Sequence, residues 1–291
     1  MRATPLTRRR LMRAMRFGFI ATLLMVLSGC ALPVKLNSKQ RLDRGMVFVL
    51  PGIEGSSVYN RAIALGLSDG GVRSAIEVFD WTTLVGNLAM YNRNLRKANE
   101  LAQRIIDYQR EYPGRPAHLI GHSGGGGIAV LTLEALTPRN RIDQAILLAP
   151  ALSPEYDLTR ALRRTRVGIL NLYSEKDVSL LTVGTSIVGA IDRERGPAAG
   201  AVGFSLPEDI SARGRAIYAE RLRQVRWQSR LRRVGASGTH LGWASRKFAR
   251  MYLSKLVRTN EDAAVAKEAM NSGDYQHRAK GQVGYEVPGD E

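Results

Sequence analysis

The chain alternates between short apolar runs of strand length and longer segments with apolar side chains at helical spacing. The apolar runs predict strands at 46–50, 73–79, 117–120, 144–149 and 167–173, and a last strand at the end of 224–234. Helical spacing predicts helices over 94–112, 124–136 and 178–191. Strands that alternate with helices predict an α/β domain, with a mostly parallel central sheet covered by helices on both faces.

Outside this pattern the two ends of the chain differ from the middle. The arginine-rich start and the apolar run from Phe17 to Leu27 are typical of a signal peptide, since the run is too short to span a bilayer. The end of the chain has scattered charge and few large apolar side chains, which predicts a flexible tail with a helical start at 263–270. We therefore expect a signal peptide, a tether, a folded domain and a tail at residues 1–29, 30–44, 45–260 and 261–291.

The apolar run closes with Leu-Ser-Gly-Cys at 27–30, which resembles the lipobox of bacterial lipoproteins. In that family a diacylglycerol is attached to the cysteine and the chain is cut before it. The resemblance implies a lipid anchor on Cys30 in the bacterial envelope, at the outer membrane if there is one, because Ala31 is not an aspartate. The alternative is an ordinary cleaved signal with a chance cysteine. Arginines 8–10 also resemble a twin-arginine motif, so the export route stays open.

Composition and charge narrow the function classes. A single cysteine excludes an intramolecular disulfide and a zinc site built from several cysteines. The formal net charge of +17 is only partly due to the arginine-rich start. Arginines also concentrate at 213–233. They form either a solvated helix face or a contact surface for anionic lipid headgroups or an anionic substrate. Export argues against nucleic acid as a partner, and no phosphate loop, dinucleotide fingerprint or metal-ligand motif predicts a cofactor.

The clearest chemical motif is Gly-His-Ser-Gly-Gly at 121–125, which fits the pattern G-x-S-x-G. It lies between the strand 117–120 and the helix 124–136, the context of a nucleophile elbow, in which Ser123 stands on a strained turn. Glycines at this turn keep side chains out of the strand–helix crossing. Over about residues 45–255 the chain therefore resembles the α/β-hydrolase superfamily, which implies a three-layer α/β-hydrolase fold.

The resemblance also implies an acid after a later strand and a histidine after the last one. Asp177 follows the strand 167–173 and takes the acid position, with Glu175 as its rival. His240 lies in a glycine-flanked loop and takes the position of the base. The other histidines are a packed core residue, the variable position of the elbow and a tail residue, at His118, His122 and His277.

Two backbone N–H groups are expected to stabilise the oxyanion of the tetrahedral intermediate. One belongs to Gly124, next after the nucleophile, and the other to Ile53, in the loop after the first strand. The neighbouring Glu54 would repel the negative charge, so we expect it to point away or to pair with an arginine. Asp80 and Trp81 follow the second strand, where they line the pocket or Trp81 caps the core.

These residues predict a serine hydrolase that cleaves carboxylic esters through an acyl-serine intermediate. The interval between Ala149 and Val167 is too short for a large cap domain, which favours an open cleft unless 192–222 folds over it. An open cleft favours an esterase over an interfacially activated lipase. An acyltransferase, a thioesterase or a peptidase could use the same triad, and a non-catalytic envelope lipoprotein could use the fold as a binding scaffold. The expected partners are an ester substrate and the membrane.

Overall fold

The computed structural model describes residues 36–55, 57–82, 90–177, 191–194 and 196–271. Cys30 and the predicted signal peptide, most of the predicted helix 178–191, and His277 lie outside the described residues.

A single six-stranded sheet forms the centre of the domain. Its strands, in chain order, are β1 Met46–Leu50, β2 Ala75–Val78, β3 Ala117–His122, β4 Ile142–Leu148, β5 Thr165–Tyr173 and β6 Leu222–Arg226. Their spatial order is β2-β1-β3-β4-β5-β6, and every neighbouring pair is parallel. All residues of β1 are buried, as expected for a strand covered on both faces. The predicted parallel α/β sheet is confirmed.

The last strand differs from its predicted place at the end of 224–234. β6 pairs with β5 from Leu222 onward. The N–H of Trp227 still donates to the carbonyl of Tyr173, at 2.8 Å, before the chain turns away. A 3₁₀ turn then occupies Ser229–Arg232. β6 is an edge strand whose residues are exposed or half-buried. It therefore lacks the apolar run by which buried strands are found, and charged side chains are typical of such edges.

Helices cover the sheet in two groups. They are α1 Lys39–Leu42, α2 Val58–Asp69, α3 Tyr91–Glu111, α4 Gly124–Ala135, α5 Thr159–Leu162, α6 Ala199–Val202, α7 Ala212–Arg221, α8 Arg246–Phe248 and α9 Ser254–Asn271, with a π-helical segment Ala249–Leu253 between the last two. α3 packs on α4, whereas α2 packs on α8 and the π-helical segment. Two separate helix layers around one buried sheet give the predicted three-layer architecture. Across the described part of the chain, no helix is both long and apolar enough to traverse a bilayer.

The strand order places a crevice at one end of the sheet. β2 lies on one side of β1, and β3 and all later strands lie on the other. The connections that leave β1 and β3 therefore diverge at the carboxyl ends of these two strands, where open α/β sheets bind their ligands. The loop after β1 and the turn after β3 meet at this point.

Residues just outside the predicted domain, 45–260, form hydrogen bonds with residues inside it. Before β1, the Arg41 guanidinium donates to the carbonyls of Val72 (2.8 Å) and Ser74 (3.1 Å). At the other end, the buried Glu261 carboxylate accepts from the N–H of Ser74 at 2.8 Å. Both contacts join segments far apart in the chain, and neither leaves a pattern in the local sequence.

Candidate active site

The turn after β3 holds Ser123 in a strained backbone conformation. Its φ of 55° and ψ of −123° lie outside the regions that non-glycine residues ordinarily adopt. Three hydrogen bonds hold the residue there: its N–H donates to the carbonyl of Leu148 (2.9 Å), and its carbonyl accepts from the N–H groups of Gly126 (2.9 Å) and Ala151 (3.0 Å). Strain of this kind persists only where surrounding contacts over-determine it, and it concentrates at functional sites.

The two glycines of the motif are required by close backbone contacts. A Cβ atom on Gly121 would lie 2.4 Å from the carbonyl oxygen of Gly125. A Cβ atom on Gly125 would lie 2.3 Å from the carbonyl oxygen of Leu50, at the end of β1. These contacts let α4 start directly against the ends of β1 and β3, with Ser123 in the turn between β3 and α4.

The structure brings Asp177 and His240 together. The Nδ1 atom of His240 lies 2.8 Å from Oδ2 of Asp177, and both side chains are almost completely buried. Burial raises the pKa of Asp177, and the hydrogen bond from His240 opposes that rise. Since a carboxylate only accepts, the bond places the proton of a neutral imidazole on Nδ1 and leaves the Nε2 lone pair available as a base.

The rival acid, Glu175, points elsewhere. Its side chain is more than half exposed and forms an ion pair with Arg226 on the edge strand. Two residues later the chain has turned through a short 3₁₀ helix, Glu175–Asp177, and Asp177 faces inward.

Ser123 and His240 lie at the same edge of the sheet. The ring of His122, the residue before the nucleophile, is 4.8 Å from the ring of His240. Within the described ranges, the Ser123 hydroxyl makes no hydrogen bond with the imidazole. Catalytic contacts of this type are often long before substrate binds and shorten in the substrate complex.

The side chain of Ile53 lies next to Gly124, the other residue predicted to stabilise the oxyanion. Gly124 is the first residue of α4, so its N–H has no acceptor within the helix. Cγ2 of Ile53 is 3.3 Å from the position that a Cβ atom on Gly124 would occupy. The fully buried Trp81 supports this arrangement, because its Nε1–H donates to the carbonyl of Pro51 at 2.7 Å. Trp81 is therefore a core residue beneath the oxyanion loop.

Glu54 pairs with an asparagine and not with the arginine that one of its two predicted alternatives required. The buried amide of Asn60 donates to Oε1 of Glu54 at 2.9 Å and also approaches the Gly55 carbonyl and the Ser57 hydroxyl, each at 3.0 Å. Oε1 of Glu54 lies 3.9 Å from Nδ1 of His122. The carboxylate therefore folds back onto the base of the loop.

A family model described as serine aminopeptidase, S33 (Hydrolase_4), matches residues 85–183. The matched stretch contains the strained serine turn and the buried Asp177, on a sheet of the expected parallel order. The chain has the α/β-hydrolase fold, and over residues 85–183 it is similar to an enzyme family of that fold.

Solved structures with low sequence identity resemble this chain. A lipase-esterase related protein from Clostridium acetobutylicum ATCC 824 is 10% identical, with 77% of this chain and 96% of that chain covered and a TM-score of 0.44. A putative aryl esterase from Burkholderia cenocepacia is 15% identical, with 76% and 91% covered and a TM-score of 0.45. Est1E from Butyrivibrio proteoclasticus is 12% identical, with 76% and 88% covered and a TM-score of 0.42. No curated protein matches the sequence.

Two residues that contact the site were not identified from the sequence. Asn60 lies on α2 and has no motif that connects it to the oxyanion loop. His122 was predicted only as the variable position of the elbow, yet its ring contacts the ring of His240. Among the described residues, no His, Cys, Asp and Glu side chains are grouped as metal ligands would be.

Proposed function

We propose that this hydrolase cleaves carboxylic esters through an acyl-serine intermediate. The observation that carries the proposal is the buried Asp177–His240 pair, with 2.8 Å between Oδ2 and Nδ1, beside the strained Ser123. A serine hydroxyl is a weak nucleophile at neutral pH and needs an adjacent base, and the base needs a partner that orients it. We assign these three tasks to Ser123, His240 and Asp177.

Each residue then has a defined role in two half-reactions. His240 Nε2 accepts the proton of the Ser123 hydroxyl as its oxygen attacks the ester carbonyl, and returns it to the departing alcohol. Asp177 keeps the proton on Nδ1 and stabilises the imidazolium. The N–H groups of Gly124 and Ile53 stabilise the oxyanion, and loss of one such donor typically costs about 3 kcal/mol in the transition state. Water, activated by His240, then hydrolyses the acyl-serine.

A fluorophosphonate probe and p-nitrophenyl esters test this proposal. The folded hydrolase should react with the probe at Ser123 and turn over the esters, and Ser123→Ala should abolish both. Ser229→Ala, at an exposed serine that none of the proposed steps uses, should retain both activities. A folded wild-type protein that neither reacts with the probe nor cleaves any ester of a short- to long-chain series would contradict the proposal.

A peptidase activity at the same residues is the second candidate. The description of the matched family model, serine aminopeptidase, S33, is the observation that favours it. Aminoacyl p-nitroanilides separate the two candidates, because only a peptidase turns them over at a rate comparable with esters. Competing alcohol or amine acceptors in the same assay detect acyl transfer.

We also propose that the hydrolase is exported and anchored in the bacterial envelope through lipid on Cys30. The support is the sequence at 27–30 together with its position after a basic start and a short apolar run. Several acyl chains give durable membrane attachment, whereas one is marginal. Metabolic labelling with an alkyne fatty acid should mark the full chain in membrane fractions, and Cys30→Ser should lose both the label and the attachment. A labelled Cys30→Ser variant would overturn this proposal.

A further inference from the structure

His122 is the last residue of β3 and directly precedes Ser123. Its side chain is fully buried, and its Nε2 lies 3.0 Å from the backbone carbonyl oxygen of His240. The two imidazole rings are tilted against each other with 4.8 Å between their centroids. A side chain on the nucleophile turn therefore contacts the loop that carries the base.

The partners of His122 define its tautomer. A carbonyl oxygen only accepts, so Nε2 carries the hydrogen and Nδ1 carries a lone pair. Nδ1 has no hydrogen-bond partner within the described residues, and the nearest acid is Glu54, with Oε1 at 3.9 Å. Burial, together with the neighbouring His240, lowers the pKa of His122 to about 4. The ring is therefore neutral near pH 7 and adds no positive charge beside His240.

His240 is the first residue of a short 3₁₀ helix, His240–Ala244, which follows directly on a loop. Gly238, two residues before His240, has a φ of 87°, and Gly242 follows closely on the other side. A hydrogen bond to the His240 carbonyl thus connects this loop to β3, the same rigid strand that carries Ser123. Because Ser123 directly follows β3 and His240 is hydrogen-bonded to β3, the distance between base and nucleophile is held constant.

We propose that His122 is a positioning residue, which holds His240 at the correct distance from Ser123 through the hydrogen bond from its Nε2–H to the His240 carbonyl. This inference rests on the proposed ester hydrolysis for its kinetic consequences. Misplacement of a catalytic group by about 1 Å can lower the rate by about a hundredfold. Loss of the donor should therefore lower kcat and leave KM almost unchanged, because substrate binding does not use this bond.

Three variants provide the kinetic test. His122→Leu removes the donor, and we expect kcat to fall by about ten- to a hundredfold with KM within about twofold of wild type. His122→Gln keeps an N–H donor at a similar reach and should restore most of kcat. His118→Leu is the matched control, because His118 is also a fully buried histidine on β3 and its Nδ1 also has no partner. It should lose stability without loss of kcat. If His122→Leu does not fold, His122→Phe replaces it.

A readout independent of turnover separates this inference from the proposed function. The Nδ1–H proton of His240, hydrogen-bonded to Asp177, should give a downfield NMR resonance in the wild type, in His122→Gln and in His118→Leu. In His122→Leu it should broaden or exchange faster. Wild-type kcat and an unchanged resonance in His122→Leu would overturn the inference. If the folded wild type cleaves no ester, the proposed function fails, and the resonance alone decides the role of His122.

Discussion

Asp177 and Glu175 lie two residues apart and have opposite surroundings. Asp177 is almost fully buried and bonded to His240, whereas Glu175 is exposed and paired with Arg226. An exposed ion pair contributes little to stability and holds no other side chain in place. Only Asp177 can therefore orient the imidazole, and removal of its charge should have a specific effect on catalysis.

Asp177→Asn should lower kcat by about 10⁴-fold, because an amide that donates toward Nδ1 favours the wrong imidazole tautomer. Glu175→Gln, which removes a carboxylate two residues away, should leave kcat unchanged. Steady-state kinetics on a p-nitrophenyl ester, with circular dichroism to verify folding, provide the measurement. Equal losses in the two variants would show that the acid has been assigned incorrectly.

At the scale of elements, the C-terminal helix is joined to the sheet by a buried carboxylate. Glu261 on α9 accepts from the N–H groups of Ser74 (2.8 Å) and Arg73 (3.3 Å), just before β2. The adjacent Asp262 only approaches Arg73 at 3.9 Å, and both side chains are about two-thirds exposed. Neighbouring acids on one helix thus differ in burial and in the groups that depend on them.

Glu261→Ala should lower the free energy of unfolding by about 1–3 kcal/mol, because it leaves buried N–H groups without an acceptor. Asp262→Ala should change it by less than about 0.5 kcal/mol, as expected for an exposed pair. Urea titrations of both variants beside the wild type provide the comparison. Equal free energies of unfolding in the two variants would contradict this account of α9.

For the whole molecule, buried neutral histidines make stability depend on pH. The pKa of His122 is about 4, against an ordinary value of 6.5, and burial lowers the pKa of His118 as well. As the pH falls through 6.5 the unfolded chain gains a proton at each histidine, whereas folded His122 remains neutral until about pH 4. The unfolded chain then binds more protons, so stability decreases across this window and does not change further below it.

From pH 7 to pH 4.5, His122 should reduce the free energy of unfolding by about 2–3 kcal/mol. His122→Gln has no such titration, so its stability should fall less over the same range. Urea unfolding at the two pH values measures the difference. Asp177, whose pKa is raised by burial, contributes with the opposite sign in both proteins and cancels in the comparison. An identical pH dependence in both proteins would refute the assignment.

The sequence was sufficient where information is local. The strained turn at 121–125 and five of the six strands were predicted, because apolar periodicity and glycine placement are properties of contiguous residues. The edge strand β6 was misplaced, since a half-exposed strand has no continuous apolar run. Arg41 and Glu261, just outside the predicted domain 45–260, are held by distant backbone groups, and such contacts leave no pattern in the local sequence.

By itself, then, the sequence determined a parallel α/β sheet with a serine on a tight turn at its carboxyl edge. The tertiary structure decided which acid faces His240, because Asp177 and His240 are 63 residues apart in the chain. It also decided that His122 donates to the carbonyl of His240, which is 118 residues away. It also decided that Glu54 folds onto Asn60. The physical reason is that propensity and periodicity act between near neighbours, whereas a buried polar group takes its partner from whatever the packed fold brings within hydrogen-bond distance.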